Sequence, residues 1–241
     1  MTSAMELLWL QSRNWGVELS NSELSLFEAY ADLLAEYELA NVIGTKNRDK
    51  IVLEHLLDAL GCYLIEDLGH RSSIIDVGTG AGLPGIPLGI VRHELKVTLL
   101  EAVEKKVHFL RQACEVLGLQ NLEVLQARAE EAARDSYREV FELATARALA
   151  PLPIVLEYCA PLVSTGGTII VMKGHLTEEE LSEGVAGSQQ LQLELREVRQ
   201  VKLLPQLPQK ERRLVVFDKL GPIPDRFPRR VGLAKKRPLG R

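Results

Sequence analysis

The first seventy residues alternate apolar and polar positions with the period of an α-helix. In the stretch NSELSLFEAYADLLAEYELAN, apolar side chains recur at helical spacing, glutamates occupy the outer face, and Asn21 or Ser22 can cap the first turn. A second stretch, NRDKIVLEHLLDALGCYLIEDLG, repeats this spacing, and neither stretch has the two-residue period of a strand. The pattern predicts an N-terminal helical extension over residues 1–70.

From residue 72 the pattern changes to short β-branched runs, most of them separated by helical segments. The runs read SSIIDV, KVTLLE, LEVLQA, FELATA, GTIIVMK, VRQVKLL and RRLVVFD. Alternation of strands and helices is typical of βαβ units, which form a parallel sheet covered on both faces. Only PQLPQKE joins the last two runs, which is too short for a crossover helix, so they should pair as a hairpin. We predict an α/β fold over residues 71–220, with a mostly parallel seven-stranded sheet and one antiparallel C-terminal hairpin strand.

Composition is that of an ordinary globular protein, with 241 residues, 46% of them hydrophobic, and a mean hydropathy of +0.00. No apolar run reaches the roughly 18 residues that span a bilayer, and the start, MTSAMELLWL, lacks the basic region of a signal peptide. Three widely spaced cysteines, Cys62, Cys114 and Cys159, argue against a disulfide framework. We therefore expect a cytoplasmic protein without membrane association, and a monomer.

The charge is distributed unevenly along the chain. The net charge is −4, yet the last sixteen residues, RFPRRVGLAKKRPLGR, hold seven Lys or Arg and no acid. A basic tail over residues 221–241 on an acidic body suggests an arm that binds a polyanion, although a solvated, disordered terminus would have the same composition. The candidate phosphate-binding residues in the tail are Arg229, Arg230, Lys235, Lys236 and Arg237.

The stretch IIDVGTGAGLPGIPLGI, residues 74–90, joins a predicted strand to a predicted helix through a glycine-rich turn. Glycines let a ligand approach the backbone closely, and the helix N-terminus presents free N–H groups. In sheets of this type, ligands bind at the carboxyl edge of the strands, where this turn lies. The turn therefore predicts a cofactor site, with Asp76, Gly78, Gly80 and Gly82 as its first residues.

Two cofactors use such a turn. GAGLPG matches the G-x-G-x-x-G fingerprint of dinucleotide sites, but the acid Asp76 would repel a pyrophosphate. S-adenosylmethionine has no phosphate and carries an ammonium and a sulfonium cation, so the order D-x-G-x-G-x-G favours it. The simpler alternative is that Asp76 caps the following helix.

Two further acids follow predicted strands at the same edge. Glu101 closes KVTLLE, nineteen residues after Gly82, where a carboxylate can accept hydrogen bonds from both hydroxyls of a ribose. Glu130, in QARAEEAA, has the position at which an acid commonly lies near an adenine amino group. The alternatives are a solvated Glu101 and an exposed first-turn acid at Glu130.

The residues also restrict the methyl acceptor. ATARALAPLP, after the fourth predicted strand, lacks the Asn/Asp-Pro-Pro-aromatic turn of exocyclic amine methylation. Cys159 falls on an apolar helix face, which indicates core packing rather than a nucleophile, and no His, Cys and acid cluster has metal-ligand spacing. These absences favour an acceptor that needs only to be aligned with the methyl carbon, such as guanine N7, a carboxylate or another unprotonated atom.

Basic side chains at two strand ends have two possible roles. Arg147, at the end of the fourth predicted strand, is the catalytic candidate. Its side chain would lie over the cofactor pocket and contact the cofactor or the target base. The alternative is that it pairs with a neighbouring carboxylate. Lys173, closing TIIVMKG, has the same two possibilities. For His55, alone on a helix face, we expect packing or capping rather than catalysis.

Taken together, several segments resemble the bacterial small-subunit ribosomal RNA guanine-N7 methyltransferases, formerly named glucose-inhibited division protein B. The segments are DVGTGAGLPGIPLGI, LLEAVEKKVHFLRQ, QARAEE, ARALAPL, VMKG and ERRLVVF, within about Asn41 to Phe217. NRDKIVLEHLLDAL looks like the family's N-terminal helix, and FPRRVGLAKKRPLG is similar to tails in part of the family. The resemblance implies a class I, Rossmann-like methyltransferase fold, S-adenosylmethionine as cofactor, and N7 of one guanosine in 16S ribosomal RNA as acceptor.

Carried over by motif, the resemblance implies cofactor contacts in the glycine turn and after the next three strands. These positions are Gly78, Leu83, Glu101, Ala102, Val103, Ala129, Glu130 and Arg147. The family often has a polar pair after the second strand, where this chain has Ala102 and Val103, and Pro at the position of Ala81. The phosphates of 16S ribosomal RNA or the small subunit would contact the tail and four further side chains, Lys105, Lys106, Arg111 and Lys173.

Other functions remain compatible with the same residues. One is a methyltransferase for a small molecule or a protein side chain. Another is a non-catalytic RNA-binding or ribosome-assembly factor with a vestigial cofactor pocket, and a third is a nicotinamide oxidoreductase. The intact Asp76, glycines and Glu101 argue against the assembly factor.

Overall fold

The computed structural model of this protein describes residues 3–240, and within that range it contains one seven-stranded sheet with the order β3-β2-β1-β4-β5-β7-β6. Strand β7 is antiparallel to both of its neighbours, and every other pair in the sheet is parallel. The mostly parallel sheet with an antiparallel C-terminal hairpin is therefore confirmed. The strands are β1 (Ser73–Val77), β2 (Lys96–Glu101), β3 (Leu122–Gln126), β4 (Phe141–Arg147), β5 (Val163–Lys173), β6 (Leu193–Gln200) and β7 (Arg213–Lys219).

Strand β6 differs from its predicted position. The predicted run, VRQVKLL, starts later than the strand and extends beyond its end. The strand begins at Leu193 and ends at Gln200, with a register shift against β7 between Leu195 and Glu197. It is an edge strand in which exposed positions alternate with more buried ones. Charged residues at the exposed positions interrupt the continuous apolar run by which a buried strand is predicted.

Ten α-helices lie within the described residues. They are α1 (Ser3–Asn14), α2 (Asn21–Glu36), α3 (Arg48–Lys50), α4 (Leu57–Leu60), α5 (Gly85–Val91), α6 (Glu104–Leu117), α7 (Ala129–Ala132), α8 (Leu152–Cys159), α9 (Glu178–Ser188) and α10 (Leu233–Lys236). A π-helical turn, Ile51–Leu56, joins α3 to α4. Ser20 caps α2 in a capping box with Glu23, one residue before Asn21, the first of the two predicted caps. None of the helices in residues 3–240 has the length and apolar character that a bilayer crossing requires.

The N-terminal helices share one hydrophobic core with a face of the sheet. Phe27 and Leu56 from these helices are buried in the same cluster as Ile74, Leu99 and Leu143 from the strands. The hydroxyl of the fully buried Tyr30 donates to the carbonyl of Ala81, in the turn after β1. The helical extension therefore packs as a layer of the same domain as the sheet and supports its glycine turn.

The opposite face of the sheet is covered by α8 and by the C-terminal segment. Ile223, Phe227, Ala234 and Leu239 are buried in the second hydrophobic cluster, together with Val155 of α8. Residues 221–240 are thus packed against the domain. Neither a free arm nor a solvated terminus describes them, because their apolar side chains, spaced between the basic ones, bury against the sheet layer.

Candidate cofactor and substrate site

The glycine turn connects β1 to α5 and is shaped by its close neighbours. Gly78 and Gly82 have φ angles of +67° and +91°, in the left-handed region that L side chains rarely adopt. A Cβ on Gly78 would lie 2.5 Å from Leu149 Cδ1, and one on Gly82 would lie 2.3 Å from Ile86 Cδ1. The turn therefore requires glycine at both positions for its conformation and for space.

Asp76 lies beneath this turn and is fully buried. Its Oδ2 accepts hydrogen bonds from the Gly85 N–H at 2.9 Å and from the Thr79 hydroxyl, and its Oδ1 accepts one from the Thr145 hydroxyl at 3.0 Å. Burial raises the pKa of Asp76 to about 6, against the lowering effect of these three donors. The structure shows the capping alternative for Asp76, whose carboxylate is fully buried and therefore acts on the site through the turn that it supports.

Glu101 joins the same turn to the loop after β2. Its Oε1 accepts the N–H groups of Ala102 and Val103, both at 2.9 Å, and its Oε2 accepts the N–H of Gly80 at 3.1 Å. Lys106 Nζ lies 3.9 Å from Oε2, and the Glu101 side chain is 7% exposed. Glu101 is thus a buried, preorganised carboxylate, and the solvated alternative was wrong.

A groove of about 510 Å³, hereafter the cofactor groove, runs along the carboxyl ends of β1, β2 and β3. Glu101 and Glu130 lie along it, and Val103 and Leu149 provide apolar walls. Glu130 is 5% exposed and accepts the N–H of Gly232 at 3.0 Å, so it is not an exposed first-turn acid. The predicted positions that line this groove are Gly78, Glu101, Ala102, Val103, Lys106, Ala129, Glu130 and Lys235.

Arg147 forms an ion pair network at the end of β4. Its Nε lies 3.1 Å from Asp58 Oδ2, and one of its terminal nitrogens lies 2.7 Å from His55 Nδ1. The other oxygen of Asp58 lies 3.0 Å from Nε of Arg212. The carboxylate-partner alternative is therefore what the structure shows for Arg147, although the guanidinium also lines two cavities.

His55 lies in the π-helical turn and contacts Arg147 through its ring. Burial, followed by the nearby Arg147 charge, lowers the pKa of His55 to about 4, so the ring is neutral at physiological pH. Because a guanidinium can only donate, Nδ1 must accept and the ring proton must lie on Nε2. His55 is therefore packed, as expected, and the side chain that it contacts is Arg147, the catalytic candidate.

Two smaller cavities continue from the cofactor groove. The turn cavity, about 220 Å³, lies over the glycine turn and is bounded by Gly80, Leu83, Lys106, Arg147 and, from the N-terminal layer, Ile43. It shares Gly78 and Ala148 with the cofactor groove, and it shares His55 and Arg147 with a third cavity of about 310 Å³. We call this third one the basic cavity, because its walls include Arg147, Lys173, Lys210, Arg212 and Arg213.

The predicted RNA-binding residues fall into two groups. Lys105, Arg111, Arg230, Lys235, Lys236 and Arg237 are exposed, and Lys106 is half-buried beside the groove. Lys173 Nζ lies 2.7 Å from Glu180, and the Arg229 guanidinium donates to both oxygens of the buried Glu157, with Nε at 2.6 Å. Arg229 therefore anchors the C-terminal segment, which contradicts its expected role as a phosphate contact.

Sequence reasoning missed the acid at the centre of the ion pair network and the tail residues of the groove. Asp58 fell within a helical pattern, and Val231 and Gly232 fell within a stretch noted only for its charge. Arg212 lies in ERRLVVF, one of the segments that resemble the family, but its partner Asp58 lies 154 positions earlier in the chain. A signal for Asp58 was present in its helical spacing from His55, three residues before it, which places both on one helix face.

The fold and the groove define a class of protein. The strand order, the reversed β7 and a cofactor groove at the carboxyl edge are those of class I methyltransferases. Among solved structures, the chain is similar to a geranyl diphosphate methyltransferase in complex with SAM, with a TM-score of 0.51 and 11% identity over 68% of this chain and 85% of the other. At that identity, the similarity concerns the fold alone.

Sequence comparison identifies the family. Residues 23–212 match the family described as rRNA small subunit methyltransferase G. The chain is 45% identical to the ribosomal RNA small subunit methyltransferase G of Rubrobacter xylanophilus over 98% of this chain and 92% of that protein, and 39% identical to that of Moorella thermoacetica over 97% of each. The chain belongs to this family, and it is a methyltransferase.

Proposed function

We propose that this protein transfers the methyl group of S-adenosylmethionine to N7 of a guanosine in small-subunit ribosomal RNA. The observation that carries the proposal is the continuity of the three cavities, from the buried acids of the cofactor groove, across the glycine turn, to the basic cavity. The names of its relatives support an RNA substrate of the small ribosomal subunit.

The residues of the cofactor groove fit S-adenosylmethionine. Its volume of about 510 Å³ is within the usual range for small-molecule sites. Glu101 would accept hydrogen bonds from the ribose hydroxyls, Glu130 would accept one from the adenine amino group, and Val103 and Leu149 would cover the apolar faces. Two carboxylates and an acidic support under the turn suit a cofactor that carries cations, and they disfavour the pyrophosphate of a nicotinamide dinucleotide.

The glycine turn determines where the reacting group lies. When bound, the cofactor supplies an electrophilic methyl group on its sulfonium. The open backbone at Gly78 and Gly80 lets the methionine part extend into the turn cavity, directly beside Arg147 and Lys106. The chain thus contributes orientation and exclusion of water, which are the requirements of a direct displacement.

The basic cavity would receive the target base and its phosphate. Guanine presents O6 and N7 as acceptors on one edge, so a donor on O6 can orient the base while N7 keeps its lone pair for the methyl group. Arg147, Arg212 and the Nε2–H of the neutral His55 are donors in this region. No general base is required at this step because N7 carries no proton.

The exposed basic residues near the groove would hold the RNA backbone. Such contacts add salt-dependent affinity rather than sequence choice. They come from α6 and from the C-terminal segment, namely Lys105, Arg111, Arg230, Lys235, Lys236 and Arg237.

The test is a map of 7-methylguanosine in small-subunit ribosomal RNA. RNA from cells without this protein would be incubated with the purified protein and labelled S-adenosylmethionine, digested, and analysed by mass spectrometry. We expect one new 7-methylguanosine that matches the one lost on deletion. Identical maps with and without the protein, or label at another atom, would contradict the proposal.

A further inference from the structure

The C-terminal strap, residues 221–240, follows β7 and ends beside the cofactor groove. Phe227 and Ala234 are 1% exposed, so the strap is seated on the domain. Its basic composition predicted contacts with a polyanion, whereas three of its residues line the cofactor groove: Val231, Gly232 and Lys235.

The strap is held by side chains from the segment that follows α7. Arg138 donates to the carbonyls of Phe227 at 2.7 Å and Ile223 at 3.1 Å, and Arg134 donates to the carbonyl of Pro228 at 3.1 Å. On the other side, Arg229 pairs with Glu157 of α8. These contacts lie away from the groove, so the strap is in place before any ligand binds.

At the groove itself, the strap contacts an acid of the cofactor site. The N–H of Gly232 donates to Glu130 Oε1 at 3.0 Å, and Gly232 has a φ of +78°. This bond holds one oxygen of Glu130 and leaves the other available to a ligand. Beside it, Val231 is 46% exposed, as is Val103 of the same groove, so the groove presents two half-exposed apolar side chains to a ligand.

We propose that the strap is a structural part of the cofactor site, an inference that rests on the proposed function. Val231 packs on the adenosine part of S-adenosylmethionine, and the Gly232 N–H orients Glu130 toward the adenine amino group. A bound adenosine would cover the half-exposed side chain of Val231 and remove its apolar surface from water. The strap determines cofactor affinity, and its outer basic face is a separate surface.

The experiment is a calorimetric titration of the full-length protein and two variants with S-adenosylmethionine. Val231→Ser removes the apolar contact, and a chain ending at Arg230 removes the contact and the Gly232 donor while keeping the anchors at Phe227 and Arg229. We expect a Kd about fivefold higher for Val231→Ser and at least about tenfold higher for the shortened chain. The matched control is Val140→Ser, because Val140 is 52% exposed just before β4, at the opposite edge of the sheet; this variant should leave the Kd unchanged.

The outcomes separate the strap from the proposed function. If both variants bind S-adenosylmethionine with the Kd of the full-length chain, the strap proposal is wrong and the proposed function stands. A shortened chain with a raised KM for RNA and an unchanged Kd would show an RNA arm instead, which also overturns the inference. A full-length chain that binds no S-adenosylmethionine would remove both. Val231→Ser keeps the test valid if the shortened chain fails to fold.

Discussion

At the scale of single residues, two carboxylates determine how the site is built. Asp76 is fully buried and accepts three hydrogen bonds, so its function is to connect β1, β4 and the start of α5. Asp58 is shared by two guanidiniums, those of Arg147 and Arg212, and it holds them at the entrance of the basic cavity. Both are positioning residues, since each acts on groups that line a cavity.

The raised pKa of Asp76 predicts a pH-dependent contribution to stability. The folded-state pKa of about 6 lies above the ordinary aspartate pKa of 3.8, so the folded protein binds more protons than the unfolded chain between these values. This contribution to stability is therefore present at low pH and is lost as the pH rises through 6. Between pH 4.5 and 7.5, the free energy of unfolding of the native protein should fall by about 2 kcal/mol relative to Asp76→Asn. Parallel denaturant titrations measure this, and a constant difference would contradict it.

The shared carboxylate of Asp58 predicts a selective loss of activity. Asp58→Asn keeps the shape of the side chain but leaves two largely buried guanidiniums without their common counter-charge, so Arg147 should lose its position. We expect kcat/KM for RNA to fall about tenfold or more while the Kd for S-adenosylmethionine stays within about twofold. Glu211→Gln is the control, because Glu211 lines the same cavity but pairs at the surface with Arg213. Equal losses in both variants would argue against a special role for Asp58.

At the scale of elements, the glycine turn depends on a helix from the N-terminal layer. Tyr30 of α2 donates to the carbonyl of Ala81, and burial, followed by the charge of Asp76, raises the pKa of its hydroxyl, which therefore remains a donor. The π-helical turn Ile51–Leu56 similarly places His55 against the end of β4. Irregular helical turns of this kind are frequent at functional sites.

This contact predicts that Tyr30→Phe affects both stability and cofactor binding. The substitution leaves the Ala81 carbonyl without its donor in a buried place, which should cost about 1–3 kcal/mol of unfolding free energy. The turn would be held less firmly, so the Kd for S-adenosylmethionine should rise. Tyr63→Phe is the matched control, because its hydroxyl lies 3.4 Å from the Leu88 carbonyl, near the limit of a hydrogen bond. If both variants bind the cofactor equally well, α2 does not support the turn.

At the scale of the whole molecule, the site is assembled from both ends of the chain. The N-terminal layer supplies His55 and Asp58 to the basic cavity, and the strap supplies Val231 and Gly232 to the cofactor groove. Lys106 and Lys235 line the groove, and further exposed basic residues lie on the same two elements, α6 and the strap, while the body of the protein is acidic overall. Attraction of RNA should therefore be directed to one face.

This charge distribution predicts a change in the salt dependence of RNA binding. Replacing Lys236 and Arg237, both exposed on the strap, by alanine should lower the slope of log K against log salt by about 1–2. The Kd for S-adenosylmethionine should not change, since neither residue lines the groove. Lys96→Ala is the control, because Lys96 is exposed at the start of β2, on the edge opposite the site. An unchanged slope in the double variant would exclude these residues as phosphate contacts.

The sequence by itself determined the fold class, the position of the cofactor turn and the family, because each is written in local patterns. Hydrophobic periodicity marks helices and most strands, and the string from Asp76 to Ile90 combines turn glycines with a strand end. Strand β6 was misplaced because an edge strand exposes charged residues that interrupt the apolar run. Glu101 and Glu130 were also predicted from local pattern, since Glu101 closes one predicted strand and Glu130 lies shortly after the next.

Only the tertiary structure decided what each candidate touches. Asp76 caps α5, Arg147 pairs with Asp58, and Arg229 anchors the strap on Glu157. The partners of Arg147 and Arg229 lie far away along the chain, and a charge in the sequence carries no information about which distant opposite charge will meet it. Burial decided the rest, because a carboxylate or guanidinium removed from water must find a partner within the fold.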